Sequence, residues 1–336
     1  MIKYLQTKTV KMALSATIAI IISNYIGLQF GVTSGIIAIL SIQDTKKEAL
    51  LVGGKRMIAS TVAILLSYAL YVLLGNNPII FGLFLLIFIP ITSILKIGDG
   101  MVVGAVLSTH LLMSININAS WIINESKLNA IGIGVALMFN LYTASLENDF
   151  DKNKARIEDY FRAILSDMAV SLITQAVPIY EKEVFSGVEK LIKNTKFMAQ
   201  KINNNHLFKS NDYYVSYIDM RTIQLDAIKR MQRHFSRFYM KYEQTRILSE
   251  FTNDVAMNIH EDNDCVELIN KLTLLRGDYE MMELPKNRTE FENRALLFQF
   301  LNDLEDFLII KKEFKQAFSV TNNIDVEYNN ISNSKH

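Results

Sequence analysis

The sequence predicts an all-α protein in two parts: a six-span transmembrane helical domain over residues 1–150 and a cytosolic helical bundle over 151–320. Two observations carry this reading. Half of the 336 residues are apolar, but the charge is unevenly spread: residues 1–150 hold nine Lys/Arg and six Asp/Glu, whereas 151–336 hold 26 and 28. Uncharged runs long enough for membrane helices lie in the first part alone, at 12–43, 57–95, 100–124 and 128–146.

The run Met12–Gln43 has 32 residues, too many for one membrane helix and few for two. A hairpin turning near Gly27–Gly31 resolves it into spans 12–26 and 32–43. The second arm is short and leads into a charged elbow, 44–56, holding Asp44, Lys46, Lys47, Glu48, Lys55 and Arg56. Polar or irregular backbone at membrane depth survives only where protein or a water cavity satisfies it, so this segment is a candidate transport path. The plainer alternative is a snorkelling lysine pair at the interface. Gly75-Asn76-Asn77-Pro78 is a turn that separates spans 57–74 and 79–95, and Pro90 is expected to kink the latter. Spans 100–118 and 128–146 follow, with Glu125 and Lys127 read as a loop between them. Lysine and arginine cluster at the N-terminus, in the elbow and at Lys96, which places both termini in the cytoplasm of a multi-pass cell-membrane protein.

From Asp151 the pattern becomes amphipathic: Ile157, Phe161, Ile164, Leu165, Met168 and Leu172 recur at three- and four-residue steps until Pro178. Further helices are expected near 180–202, 212–255 and 262–282. A last one opens on a capping box, Thr289 to Glu292, and carries the stripe Leu297, Leu301, Leu304, Leu308. The basic segment 221–246 reads as a face paired with acidic helices such as Asp303–Glu305–Asp306 or, alternatively, as a lipid-headgroup contact. The Asn/Ser-rich tail 321–336 is expected to be disordered.

Chemical motifs are sparse. Gly53-Gly54-Lys55-Arg56 lacks the upstream glycine (Ala49 stands there) and the Ser/Thr of a phosphate loop. HExxH, Cys-x-x-Cys and GxSxG patterns are absent and Cys265 is the single cysteine, so an enzyme, a cofactor and a metal site are not expected. The near-neutral charge of the bundle gives no nucleic-acid footprint. His110 is the one ionisable side chain inside an expected span. It reads either as a proton relay or as a neutral imidazole bonded to a neighbour such as Ser108 or Asn140. Asn140 reads as an interhelical hydrogen bond.

Four strings resemble the aromatic acid exporter family: Lys8-Thr9 with Lys11 and Ala13–Ala16; Ser34–Lys47; Ile131–Leu137 with Asn140-Leu141-Tyr142; and Leu284–Phe298. The resemblance implies a six-span membrane domain with a cytosolic helical domain, and export of small organic, aromatic-carboxylate anions by a secondary mechanism. A passive anion channel and a membrane-anchored scaffold or sensor are the rival readings. The candidate transport path comprises Thr33, Ser34, Asp44, Lys46, Arg56, His110 and Asn140. Thr33 or Ser34 would cap the second span and leave its first N–H groups for an anion, and Asp44 and His110 would couple protons. Expected partners are the lipid bilayer, a small organic anion and a second copy in a homodimer.

Overall fold

The computed structural model describes residues 2–114, 117–142, 145–174, 182–207, 212–235 and 243–333. These residues form α-helices, one short 3₁₀ turn and no strand. They group into two compact units, Met1–Ser145 with Asn204–Ser210, and Leu146–Asn203 with Asn211–His336.

The first unit holds α1 (Ile2–Tyr25), α2 (Val32–Ser41), α3 (Lys46–Leu74), α4 (Pro78–Ile94), α5 (Met101–Met113) and α6 (Ala119–Leu141), with the 3₁₀ turn Gly98–Gly100 ahead of α5. Helices α3 and α6 are each long and apolar enough to cross a membrane; α2, α4 and α5 are shorter. Large apolar side chains lie bare on the outside of this unit, among them Leu14, Ile21, Leu73, Ile79 and Leu86. Such a surface suits lipid rather than water.

Three boundaries differ from the sequence reading. The charged elbow is no elbow: Lys46–Arg56 are the first three turns of α3. Thr45-x-x-Glu48 starts that helix as a capping motif, with Thr45 Oγ1 accepting from the Glu48 N–H at 3.4 Å. Helix α6 begins at Ala119, capped by Asn118, so Glu125 and Lys127 are helical rather than looped. Helix α5 stops at Met113, short of the expected 118.

Helix α2, 10 residues and about 15 Å long, is packed between α1 and α6. Gly132 permits that packing: a Cβ there would lie 2.6 Å from the Ser34 carbonyl oxygen and 2.7 Å from Ile37 Cβ. Two residues on, and on another side of α6, Gly134 faces open space.

The second unit holds α7 (Glu147–Thr174), α8 (Lys182–Asn205), α9 (Tyr213–Phe235), α10 (Glu243–Met257), α11 (Val266–Met281) and α12 (Arg288–Asn333). The expected helix 212–255 is therefore two helices, with 236–242 outside the described residues, as is Pro178. Helix α7 packs on α10 and α9 on α12. The two periodic stripes are core: Ile157, Phe161, Leu165 and Met168 on α7, and Leu297, Leu301, Leu304 and Leu308 on α12, are buried. The cap of α12 is Asn287, whose Oδ1 accepts from the Glu290 N–H, while Glu290 reaches back to the Lys286 N–H. The box is thus two residues upstream of Thr289–Glu292. No glycine or proline follows Arg288, and the helix continues to Asn333 through most of the segment expected to be disordered.

Buried charges knit this unit. Arg221 is held by Glu158, by Tyr217 Oη at 2.9 Å and by Gln224 Oε1 at 2.8 Å. In the same basic segment Arg230 meets Asp303 and Asp306, the acidic pairing read from the sequence. Lys311 Nζ, buried, donates to the Glu261 carbonyl at 3.0 Å. Burial, with Arg221 and Lys315 nearby, pulls its amine down to about 7.

Two outcomes follow for stability. Gly132→Ala should lower the thermal midpoint in nanodiscs, at a cost of about 1–3 kcal/mol from overpacking, while Gly134→Ala should be neutral or gain up to about 1 kcal/mol of helix propensity. Equal melting of the two variants would refute the close α2–α6 contact. For Lys311, the unfolded chain binds the proton up to its ordinary 10.5 and the folded chain only to about 7. Between those values the unfolded state holds more protons, so stability rises with pH. Lys311→Met should therefore melt higher than the parent at about pH 7, and the gap should narrow by about pH 10. A gap that does not change with pH would show that the amine is not desolvated.

Candidate functional site

Along the inner faces of α2, α3, α5 and α6 the first unit buries an unusual amount of polarity for a membrane core. Two clusters of it lie at the two ends of α2, and a further buried contact joins Ser60 on α3 to Asn129 on α6.

The first cluster forms where α2 begins. The chain leaves α1 through Gly27, with φ +72°, and Phe30, with φ +57°, before α2 starts. The backbone N–H groups of Thr33 and Ser34 are taken by the carbonyls of Phe30 and Gly31, and the Ser34 hydroxyl bonds Gly31 O and Ser23 Oγ. Neither residue caps the helix; Gly31 occupies that position. The expected anion seat on bare N–H groups is thus not there. The Thr33 hydroxyl instead lies 3.1 Å from His110 Nε2 on α5. The other ring nitrogen, Nδ1, lies 2.7 Å from Glu125 Oε2 on α6. Thr33 and His110 are each 6% exposed and Glu125 is 0% exposed, so the pair is desolvated. Phe30 stacks flat on the imidazole, with ring centroids 4.3 Å apart, and Trp121 lies 6.1 Å beyond Phe30. Asn124 donates to Glu125 Oε1 at 3.0 Å. Nearby, Tyr71 Oη and Ser108 Oγ share a hydrogen bond at 2.9 Å, so Ser108 is not the partner of His110.

An ionised carboxylate in this setting is tolerable only when paired, and the His110 ring is the partner that Glu125 has. With neutral imidazole and carboxylate the pair carries a net charge of −1. One added proton makes it neutral, whichever residue holds it. Thr33 serves either state, since its hydroxyl can donate to a bare Nε2 or accept from Nε2–H.

The second cluster forms where α2 ends. Asn140 on α6 donates to the Ser41 carbonyl at 3.1 Å and accepts from the Gln43 N–H at 3.3 Å. Arg56 on α3, buried, donates to Ser41 Oγ at 2.9 Å and to the Asp99 carbonyl at 3.1 Å. Asn140 thus satisfies the backbone of a helix that stops about 15 Å from its start, as non-helical chain inside a membrane requires, while Arg56 bonds the Ser41 side chain and ties it to the turn before α5. Asp44 lies at this end in a 2.7 Å ion pair with Lys8, and Lys46 is the first residue of α3.

Between the clusters lie Ile37, Ile64, Val103, Leu107 and Ile133, buried against one another. The candidates therefore divide. Thr33, Ser34 and His110 share one end of α2; Asp44, Lys46, Arg56 and Asn140 share the other. Asp44 and His110 are not brought together.

Residues 4–143 match the family described as "Aromatic acid exporter family member 1", and residues 147–312 match "Putative aromatic acid exporter C-terminal domain". The chain belongs to the aromatic acid exporter family. It is accordingly a membrane protein of a transport family. It is 37% identical over 308 residues to "Uncharacterized protein YqjA" of Bacillus subtilis (strain 168), covering 92% of this chain and 95% of that one. A solved structure, "Crystal structure of putative membrane protein from Clostridium difficile 630", aligns at 23% identity and a TM-score of 0.44 over 49% of this chain and 98% of that chain.

Glu125 is the site residue that sequence reasoning missed. Its signal was present: Glu125, Asn129, Gly132, Ala136 and Asn140 fall at steps of three and four, one buried stripe of a single helix.

Proposed function

We propose that the membrane unit exports small organic anions, aromatic carboxylates foremost, and that protonation of the His110–Glu125 pair governs their release. The observation that carries this reading is the 2.7 Å contact between His110 Nδ1 and Glu125 Oε2 in a desolvated site. Buried ionisable pairs are expensive in a membrane core and mark ion or proton pathways.

In this reading the chain crosses the membrane six times, α2 being a short helix that makes only part of its crossing, and both termini face the cytoplasm. Arg56 sits at the cytoplasmic end, where its cation draws anions in. The apolar layer around Ile37 and Leu107 is the barrier. His110, Glu125 and Thr33 lie at the outer end. Unprotonated, the pair repels a departing anion; protonated, it is neutral and lets the anion pass. The membrane potential, negative inside, favours exit by about 2.3 kcal/mol per charge per 100 mV. A permanently open anion channel fits less well, because five packed apolar side chains interrupt the polar path. Two copies form the working particle, since the small-residue faces of a lone six-span unit invite a partner.

Transport is tested by counterflow of labelled benzoate in proteoliposomes. Arg56→Gln should raise the apparent KM about tenfold, equivalent to about 1.4 kcal/mol, and Arg56→Lys should restore much of it. His110→Gln should flatten the pH dependence across about pH 5.5–8, the range around an ordinary histidine pKa of about 6.5. Variants indistinguishable from the parent across that range would sink the proposal and leave both clusters as structural hydrogen bonds.

Topology is tested separately, in a Cys265→Ser background. An impermeant thiol reagent on intact cells should label Asn76→Cys and spare Asn203→Cys, and nanodisc particles should weigh as two copies. The reverse labelling pattern would invert the assignment of the two ends; a single-copy mass would remove the dimer.

A further inference from the structure

The second unit has a small cavity that the membrane site does not explain. It lies among α9, α12 and the segment 258–265 that joins α10 to α11, and its volume is about 10 Å³. That is room for one water-sized occupant or a single halide ion, and not for a polyatomic ligand. Its walls are one-sided in charge. Arg221 and Lys311 line the cavity, and no carboxylate does among the described residues. Cys265 and Leu268 also line it; they stand at the start of α11, where the helix carries positive partial charge. The acid at that end, Asp264, accepts from the Val266 N–H at 3.0 Å and is not part of the lining.

The two cations differ in what they lack. Arg221 spends its guanidinium on Glu158, Tyr217 and Gln224. Lys311 does not spend its ammonium. One of its three N–H groups donates to the Glu261 carbonyl at 3.0 Å, and the other two have no hydrogen-bond acceptor among the described residues. The rings of Tyr217 and Phe314, with centroids 5.6 and 5.7 Å from Nζ, give it partial relief. The neighbouring acids are already taken, Glu158 by Arg221 and the Glu261 carboxylate by Lys154 at 2.6 Å. A buried ammonium with no counter-charge either gives up its proton or takes in an anion. With its amine pulled down to about 7, Lys311 stands between those two outcomes near neutral pH.

From this one-ion cavity, walled by two buried cations and no carboxylate, we infer that the second unit binds a single small inorganic anion, chloride foremost, against Lys311 Nζ. The protonated amine holds the ion, so chloride and proton are taken up together and binding tightens as pH falls through the Lys311 titration. The groups that face this amine are Arg221 and Tyr217 on α9, Glu158 on α7, Cys265 and His260 from the α10–α11 segment, and Lys315 on α12. The Cys265 thiol, pushed up to about 11 by burial, and the Tyr217 phenol, also raised by burial, stay neutral over that range. The site rests on its own walls and not on the transport reading. It makes the folding of this unit answer to chloride as well as to pH.

The test uses full-length protein in nanodiscs, melted with a dye that fluoresces on reacting with a thiol. Cys265 is the single cysteine and is buried, so the dye reports the opening of this cavity's own walls. Chloride titrated against gluconate at constant ionic strength should raise the midpoint by about 2–4 °C and saturate. The rise should be larger at about pH 6.5 than at about pH 8.5, on either side of the Lys311 titration. Lys311→Met should remove it. His260→Gln should retain it, and so should Arg56→Gln, which separates this site from anion attraction in the membrane unit. Broadening of the chloride magnetic resonance line by the parent, lost in Lys311→Met, should show that the ion itself binds. Equal midpoints in chloride and gluconate would overturn the inference and leave water as the occupant. A rise that persists in Lys311→Met, that disappears in Arg56→Gln or that ignores pH would overturn it too.

Discussion

The contact between His110 and Glu125 sets the terms for the membrane unit. A carboxylate with no exposed surface, in a helix otherwise built for lipid, must find its partners within the protein. It finds them in an imidazole from α5 and the amide of Asn124, and the imidazole needs a further partner, which α2 supplies as Thr33. That demand brings the start of α2 beside α5 and α6. Gly132, which leaves no side chain between α6 and the Ser34 carbonyl, makes the approach possible. Once α2 is fixed at its start, its early end becomes a second problem, which Asn140 solves by bonding the Ser41 carbonyl and the Gln43 N–H, with Arg56 holding the Ser41 hydroxyl. The two polar clusters are therefore consequences of one short helix.

Their separation matters as much as their content. Ile37 stands one turn from Thr33 and one from Ser41 on α2, so the same helix carries both polar ends and part of the apolar layer between them. A change that moves α2 along its axis would disturb both ends together.

Much of this architecture was legible in the sequence. The uncharged runs, the Gly27–Gly31 turn, the Asn77-Pro78 start of α4 and the leucine stripe of α12 each follow from local rules, and the structure has them where those rules place them. The misreadings share a physical cause. Charge usually marks water, which points to an elbow at Lys46–Arg56 and a loop at Glu125, although Thr45-x-x-Glu48 and Asn118 are good helix starts. Single-chain pattern reading weighs a carboxylate by its usual surroundings. It cannot see that an imidazole 15 positions earlier comes within 2.7 Å. In the same way the α12 cap was placed on Thr289 when Asn287 offered the earlier acceptor.

The central claim is that the His110–Glu125 pair takes up and releases a proton. The protein carries one tryptophan, Trp121, separated from His110 by a single stacked ring, Phe30. Its emission, followed against pH in nanodiscs, reports that site alone. The account predicts a single sigmoidal change in the parent, displaced in Glu125→Gln and absent in His110→Gln. An identical curve in all three proteins would mean that the pair does not titrate, and the proposed role of protons would fall.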